Sequence, residues 1–454
     1  MIKHNEITIK ETLLFVGGIV FLALYGIQTG IPLITVLMFM VLVIYLLVLG
    51  RKFDDKRYNF LSLGFLFLLG AAMAVFFKEY TVLSPYYIPI AAVVMLVALL
   101  YHDLELSLIF AILLSFFVGT IFGGDIYLAG VLFLGSLLGS LYVWQARRRS
   151  RIITAGFFVG VIQSVAVLTF FQHTSLKDVP VIRFCTAPFM NGFISSFLVA
   201  GLLPVFEYLF RVVTNISLLE LADFNHPLLK RLVFEAPGTY HHSLMVGNLA
   251  EMASEAVGAN ALLARVGAYY HDIGKLEKPE YFSENQDKSI SKHDTLSASM
   301  SKLVIMEHVK AGVELARKNH LNNTIMAFIR QHHGTSLVYY FYRRALESGG
   351  DEKELSEEVF RYPGPKPETK ETAIVLLADS VEAACRTLEE PTAERIADMV
   401  HRVINNKFID GQLDACDLTL RDLEKIATIF IHILGAFYHS RIDYPDQGET
   451  TKKS

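Results

Sequence analysis

The sequence predicts an all-α protein: a polytopic transmembrane helical bundle over residues 1–211, followed by a cytoplasmic, all-helical domain. Three observations predict it. The 454 residues are 53% hydrophobic and only 19% charged, which is too apolar for an ordinary soluble chain. The halves differ in charge: residues 1–211 hold 14 Lys+Arg and 10 Asp+Glu, residues 212–454 hold 27 and 35, and twelve of the 15 histidines follow residue 211. In the second half apolar residues recur at helical spacing, without a stretch of strict alternation. So much apolar surface excludes disorder. Three scattered cysteines, Cys185, Cys385 and Cys416, exclude a disulfide scaffold and suit a reducing compartment. The acidic second half gives no support to a DNA or RNA duplex as partner.

Eight apolar stretches lie at about 12–28, 31–50, 60–77, 86–101, 104–122, 126–144, 152–171 and 188–211, where a membrane crossing needs about 20 such residues. The fourth is short and joined to the fifth by Tyr101-His102-Asp103 alone, so one of the two is a candidate re-entrant segment. With an inside N-terminus, ten Lys/Arg fall on inside segments and three (Lys78, Lys177, Arg183) outside. This bias places the second half in the cytoplasm, with the lipid bilayer as a partner. Tyr142 and Trp144 flank the cluster Arg147, Arg148, Arg149 and Arg151 as interfacial anchors. Residues 1–28 read less well as a signal peptide, for want of a small-residue cleavage site. Asp125 and Glu207 lie near span ends and read as interfacial; Gly130, Gly135 and Gly139 read as close helix packing.

Residues 212–237 form a juxtamembrane linker helix, 238–446 the cytoplasmic domain and 447–454 a polar tail. His226, before Pro227, reads as a helix cap. The segment Thr239–Val257 reads as a helix capped at or near Thr239 and ended by Gly258. His242 shares its inward face with Met245, Leu249 and Ala256, whereas His241 lies on the more polar side. The next helix ends in His271-Asp272-Ile273-Gly274-Lys275. His308 shares a face with Val304, Ile305, Ala311 and Leu315. His332-His333 ends a helix at Gly334, and Asp379 sits in the apolar run 373–379. A carboxylate there needs a strong partner, for which a metal is the simplest candidate and an Arg or Lys the plainer one. Five histidines and two aspartates on inward faces exceed what one ion needs and fit two, with Fe, Mn or Zn better suited to these donors than Ca or Mg.

The motifs "EAPGTYHHSLMVGNLAE", "YYHDIGK", "QHHGTS", "RYPGPKP", "ADSVEAA" and "FYHSRIDYP" resemble the membrane-bound seven-transmembrane HD family, the PgpH-type cyclic-di-AMP phosphodiesterases. The ligand order His242, His271-Asp272, Asp379 is that of the HD superfamily, and the added His308 and His332-His333 are similar to its binuclear subset. The resemblance runs over about residues 31–446. It implies an HD-type phosphohydrolase domain that hydrolyses cyclic di-AMP to linear pApA with two divalent ions, Mn or Fe foremost. It puts one ion on His242, His271, Asp272 and Asp379 and the other on Asp272, His308, His332 and His333, with Asp272 bridging. The family's members carry a large extracellular domain after the first stretch; here Ile27–Gly30 joins the first two stretches directly, as in a naturally short member or one from which that domain has been removed. The sequence after His333 differs from the Gly-Tyr-Pro signature of the cyclic di-GMP enzymes. Cyclic di-GMP or a mononucleotide as substrate, or a receptor with a non-catalytic HD domain, are the alternatives, and a homo-oligomer is left open.

Two metal ions about 3.5–4 Å apart can serve phosphodiester hydrolysis. Lys275 is a candidate for stabilising developing charge, with an exposed helix-end lysine as the plainer reading. Arg361, Tyr362 and Lys366 are candidate substrate contacts on the turn 361–367, which is as readily a structural turn. Residues 341–360 look like a charged helix interrupted at Gly349-Gly350. Tyr339 and Tyr340 read as core residues, with stacking on a base as the alternative. His293, His320, His401, His432 and His439 read as surface or core residues.

Overall fold

The computed structural model of the chain describes residues 60–171, 181–286, 292–347 and 356–438. Among the described residues there are helices and short 3-10 turns, one isolated bridge between Leu337 and Arg361, and no strand. The chain divides into two compact units between Ile216 and Ser217. The apolar stretches 12–28 and 31–50 lie outside the described residues.

The first unit contains α1 (Phe60–Tyr80), α2 (Ile90–Tyr101), α3 (Leu104–Ile121), α4 (Ile126–Val143), α5 (Arg149–Phe171) and α6 (Val181–Phe210). Five of these are long and apolar enough to cross a membrane. The exception is α2: its 12 residues extend only about 18 Å, short of a hydrocarbon core of about 30 Å. All 12 are buried, so the fourth apolar stretch is the innermost helix of the bundle, preceded by the 3-10 turn Pro85–Tyr87. The last helix begins at Val181 instead of residue 188 and takes Pro188 and Pro204 into its interior, as membrane bundles tolerate.

A Cβ on Gly135 would overlap the Gln163 amide, and one on Gly139 would lie 3.1 Å from Met95 and Val159. Gly130 has ordinary room, 3.6 Å from Phe170, so close packing requires only two of the three predicted glycines. Between α5 and α6 a Cβ on Gly192 would overlap the Gly156 and Gly160 backbone. Asp125 caps α4, accepting from Tyr127 N (3.0 Å) and Leu128 N (2.9 Å). Glu207 accepts from Thr214 N (2.9 Å) and Oγ1 (2.6 Å). Both acids therefore hold element ends.

The division falls within α7 (Asn215–Leu221), and the second unit continues with α8 (Pro227–Glu235), α9 (Pro237–Ala256), α10 (Ala261–Tyr270), α11 (Ala298–Lys318), α12 (Asn323–Gln331), α13 (Tyr339–Glu347), α14 (Lys370–Cys385), α15 (Ala393–Ile409) and α16 (Leu420–Tyr438). Its largest core packs α9, α10, α15 and α16 against α14, whose run Ala373–Ala378 is wholly buried. His226 Nδ1 caps α8 by accepting from Leu228 N at 3.4 Å. Thr239 is not the cap of α9, which starts at Pro237. Its N–H donates instead to Asn285 Oδ1 at 3.1 Å, so the capping acceptor comes from a segment distant in sequence. The charged helix expected over 341–360 is α13 and then, beyond residues outside the described set, a 3-10 turn at Glu357–Phe360. Phe341 and Ala345 form the buried face of α13. Tyr339 and Tyr340 lie off that face and are exposed, which corrects their reading as core residues.

Candidate metal centre

Each predicted ligand sits where its helix turns inward or stops. His242 lies one turn before Val246 on the buried face of α9. His271 closes α10, and Asp272 opens the 3-10 turn Ile273–Glu277. Gly274 then lets α11 approach: a Cβ there would overlap the His308 carbonyl oxygen and lie 2.6 Å from Gly312 N. The glycine of "HDIGK" thus brings His308 beside Asp272. His332 caps α12, and Gly334 follows in a left-handed conformation (φ 53°), which glycine adopts without strain. Asp379 comes from the middle of α14, behind a Thr369–Thr372 capping box.

These side chains converge. His242, His271, Asp272 and Asp379 place one donor atom each within 4.8 Å of one another; Asp272, His308, His332 and His333 do the same. Asp272 belongs to both groups. Its Oδ1 lies 3.3 Å from His308 Nε2 and 3.5 Å from His332 Nε2, while its Oδ2 lies 3.2 Å from His271 Nε2 and 3.6 Å from His242 Nε2. Asp379 Oδ1 is 3.0 Å from His242 Nε2, and its Oδ2 is 3.5 Å from His333 Nδ1. Six of the seven are nearly excluded from solvent; His333 keeps 23% of its side chain exposed and marks the open side.

The outer hydrogen bonds fix the tautomers. His271 Nδ1 donates to Ala268 O (2.6 Å), His332 Nδ1 to Ile329 O (2.9 Å), and His308 Nδ1 to Ile305 O. His242 Nδ1 meets Glu382 Oε2 at 2.6 Å. Each of these rings turns its Nε2 inward, the arrangement of metal-ligating histidines; burial opposes charge on them, but Asp272 and Asp379 raise His271 to about 10, and Asp379 and Glu382 raise His242. His308 Nε2 and His332 Nε2 then face each other at 3.2 Å, close enough for one cation to lie against both. His271 Nε2 and Asp272 Oδ1 are buried with no hydrogen-bond partner. Unsatisfied, convergent and made of imidazole and carboxylate, the donors fit a divalent metal site.

Burial pushes the acids up, but Lys275 and His271 beside Asp272, and His242 and His271 beside Asp379, hold both carboxyls well below the ordinary aspartate range. Burial, with repulsion from His332 and Lys275, pushes His308 down to about 4 against the pull of Asp272. Burial foremost also lowers His333 strongly. Lys275 Nζ lies 2.7 Å from Asp272 Oδ2 and 2.7 Å from Glu284 Oε1. Burial opposes its charge, yet the two acids outweigh that and raise its pKa. It is a buried, doubly paired ammonium and not an exposed helix-end lysine.

Tyr362 is brought to the cluster, stacked on His333 with centroids 4.3 Å apart and rings 26° from parallel. Arg361 is turned to Asp410, with Nη2–Oδ1 2.9 Å and Nη1–Oδ2 3.1 Å, and to Glu357 at 3.2 Å; Lys366 pairs with Asp414 at 3.1 Å. Neither reaches the ligand groups. His241 is exposed. His293 is buried and meets Tyr281 O at 2.8 Å; His320, His401 and His432 are exposed, and His439 lies outside the described residues. Two residues escaped the sequence reading. Glu382 is one turn after Asp379 and on its face, a spacing that carried the signal. Glu284 comes from the 3-10 turn Ser283–Asn285, too short for periodicity to mark it.

The family model described as "7TM receptor with intracellular HD hydrolase" matches residues 25–214, and that described as "HD domain" matches residues 239–384. The chain is 43% identical over 376 residues to the cyclic-di-AMP phosphodiesterase PgpH of Bacillus subtilis, covering 81% of this chain and 52% of that protein. It is 44% identical over 301 residues to the Listeria monocytogenes protein of the same name, covering 66% and 42%. It thus spans about half the length of the relatives it matches. The crystal structure of the L. monocytogenes PgpH HD domain in complex with cyclic-di-AMP is 46% identical, with TM-score 0.46, over 48% of this chain and 100% of that one.

Proposed function

The chain belongs to the family that joins a seven-transmembrane region to an intracellular HD hydrolase domain, and on that premise we propose that it hydrolyses cyclic di-AMP to linear pApA at a binuclear centre. The ions are two divalent transition metals, Mn or Fe, one on His242, His271, Asp272 and Asp379 and the other on Asp272, His308, His332 and His333. The second unit faces the cytoplasm, in keeping with the excess of Lys/Arg on the segments placed inside. Relatives at 43–44% identity carry the name cyclic-di-AMP phosphodiesterase.

The observation that carries the reading is the divided role of Asp272, one oxygen turned to each histidine pair. When bound, a metal pair supplies an acidified water and positive charge for the phosphodiester. The protein's own part is orientation. Carbonyls 268, 305 and 329 and the Glu382 carboxylate hold four imidazoles with Nε2 turned inward. Glu284 and Lys275 pin Asp272 from behind. Burial of six donors keeps bulk water out, and the partly open His333 side, floored by Tyr362, admits substrate.

The test is hydrolysis by the full chain in detergent, with Mn(II) or Fe(II), scored as pApA and run in competition with cyclic di-GMP. Turnover of cyclic di-AMP with two ions per chain is expected. A metal-loaded protein that leaves cyclic di-AMP intact, or prefers cyclic di-GMP, overturns the substrate; one ion per chain overturns the binuclear assignment.

A further inference from the structure

Cyclic di-AMP carries two phosphodiesters, and a metal pair neutralises the one being cleaved. The other enters the same acidic unit and needs a cation of its own. Most cations near the centre are already engaged. Lys275 is held by Asp272 and Glu284, Arg361 by Asp410 and Glu357, and Lys366 by Asp414.

Lys407, near the end of α15, differs. Its Nζ donates to Ser336 Oγ at 2.7 Å, and no carboxylate among the described residues lies within 4.0 Å of it, so two of its three ammonium protons are unspent. Ser336 belongs to the turn that carries the open ligand: its N–H donates to His333 O at 3.0 Å, and its carbonyl accepts from Tyr362 N at 3.0 Å. Behind it Gln412 N donates to Lys407 O at 3.0 Å, and the Gln412 side chain accepts from Thr335 N at 2.8 Å. The ammonium is therefore fixed to the turn that ties His333, the ligand with the most exposed side chain, to Tyr362. Burial pushes the Lys407 pKa down, while Asp379 and Asp410 push it up, which accords with a charge held near the acids of the centre without being neutralised by either.

We propose that Lys407 is a substrate-binding residue that takes the phosphodiester not being cleaved, and so favours a cyclic dinucleotide over a diester with a single phosphate. This rests on the phosphodiesterase reading above. Lys407 does not touch the scissile phosphate, and its effect is expected in KM and not in kcat.

The test compares full-chain wild type, Lys407→Met and Lys407→Arg, each loaded with Mn(II), on cyclic di-AMP and on bis(p-nitrophenyl) phosphate, which has one phosphate. Lys407→Met is expected to raise KM for cyclic di-AMP about tenfold or more, the size of one lost charged hydrogen bond. Its kcat should stay within threefold, and its turnover of the aryl diester within twofold. Lys407→Arg should restore most of the dinucleotide KM. Equal loss on both substrates, or an unchanged dinucleotide KM, overturns the assignment and leaves Lys407 a tie for the Ser336 turn. Wild type that cleaves the aryl diester but not cyclic di-AMP overturns the substrate reading, and this inference with it.

Discussion

The membrane unit and the helical unit that follows it both bury polar atoms without hydrogen-bond partners, and only in the second do some of them converge. In the first unit they include both ends of the Gln163 amide and the hydroxyls of Ser115 and Ser136. These sit on three separate helices, α5, α3 and α4. The second unit has hydroxyls of the same kind at Ser243, Ser254 and Ser301, but there His271 Nε2 and Asp272 Oδ1 are ionisable and lie inside two groups of four donors that share a carboxylate. Burying an unpaired amide costs a few kcal/mol; Asp272 is offset at Oδ2 by Lys275, but its Oδ1 and the nitrogens facing it are left over. A convergent cluster of this second kind fits a further cation, and residues of the first kind do not. Convergence separates a ligand set from a packing compromise.

The largest effect that tests this difference is at the shared carboxylate. Asp272→Asn keeps the shape and removes the charge that both groups use. Hydrolysis should fall on the order of 10³-fold, the scale on which a preorganised electrostatic contact is lost, and bound metal should drop below two ions per chain by elemental analysis. Retention of both ions with full activity would remove Asp272 from the bridging position.

Glu382→Gln comes next. It leaves a group able to hydrogen-bond His242 Nδ1 but removes the negative charge behind the ring. Second-shell changes of this kind cost about 10–100-fold in metal affinity or activity. A Mn(II) titration of activity should shift by that factor, with the saturated rate moving less. No shift would mean that the 2.6 Å contact only packs the ring.

Glu284 gives a smaller effect, read as stability. Burial pushes its carboxyl up, but the Lys275 ammonium outweighs this and holds it down at about 2, against an ordinary 4.5. A pKa lower in the folded than in the unfolded state contributes stability that is complete above about pH 4.5. That stability is lost as pH falls toward 2. Glu284→Gln should therefore flatten the acid limb between pH 4.5 and 2 in near-ultraviolet circular dichroism, at the expense of stability near neutrality. Identical acid limbs in the two proteins would show that the Lys275 pair contributes nothing to folding.

The sequence carried the ligand set more fully than the fold around it. His242, His271, His308 and Asp379 were legible because each sits among apolar residues at helical spacing, where a polar side chain needs a reason. Gly274 was legible as part of a motif, but its task, letting α11 close onto Asp272, depends on a contact between segments more than 30 residues apart. Asn285 capping α9 and Glu284 holding Lys275 were not legible, because both come from the 3-10 turn Ser283–Asn285, too short for periodicity. In the membrane half, hydropathy alone does not show how deep in the bundle a helix lies. The 12 residues of α2 are as apolar as their neighbours, and only their length and complete burial set them apart. The assignment of Arg361 and Lys366 to substrate followed from charge on a turn; their pairing with Asp410 and Asp414 needed α15 in place.

Gln163 supplies the smallest test and the one that reaches the membrane side of the comparison. Its side chain is fully buried, neither end of its amide is hydrogen-bonded, and it rests on the face of α4 that Gly135 leaves open. If that amide is a packing compromise, Gln163→Leu removes an unsatisfied polar group and keeps about the same volume. The expected result is a gain of about 1–3 kcal/mol, read as a higher thermal midpoint of the full chain in detergent, with cyclic di-AMP turnover unchanged. The same logic applied to His271→Leu predicts the opposite outcome, loss of metal and of activity, because there the bare nitrogen has a cation to meet. A Gln163→Leu protein with a lower midpoint would mean that the amide holds a water, an ion or a lipid group that the leucine cannot. The two regions would then differ in charge alone and not in whether their buried polar atoms are used.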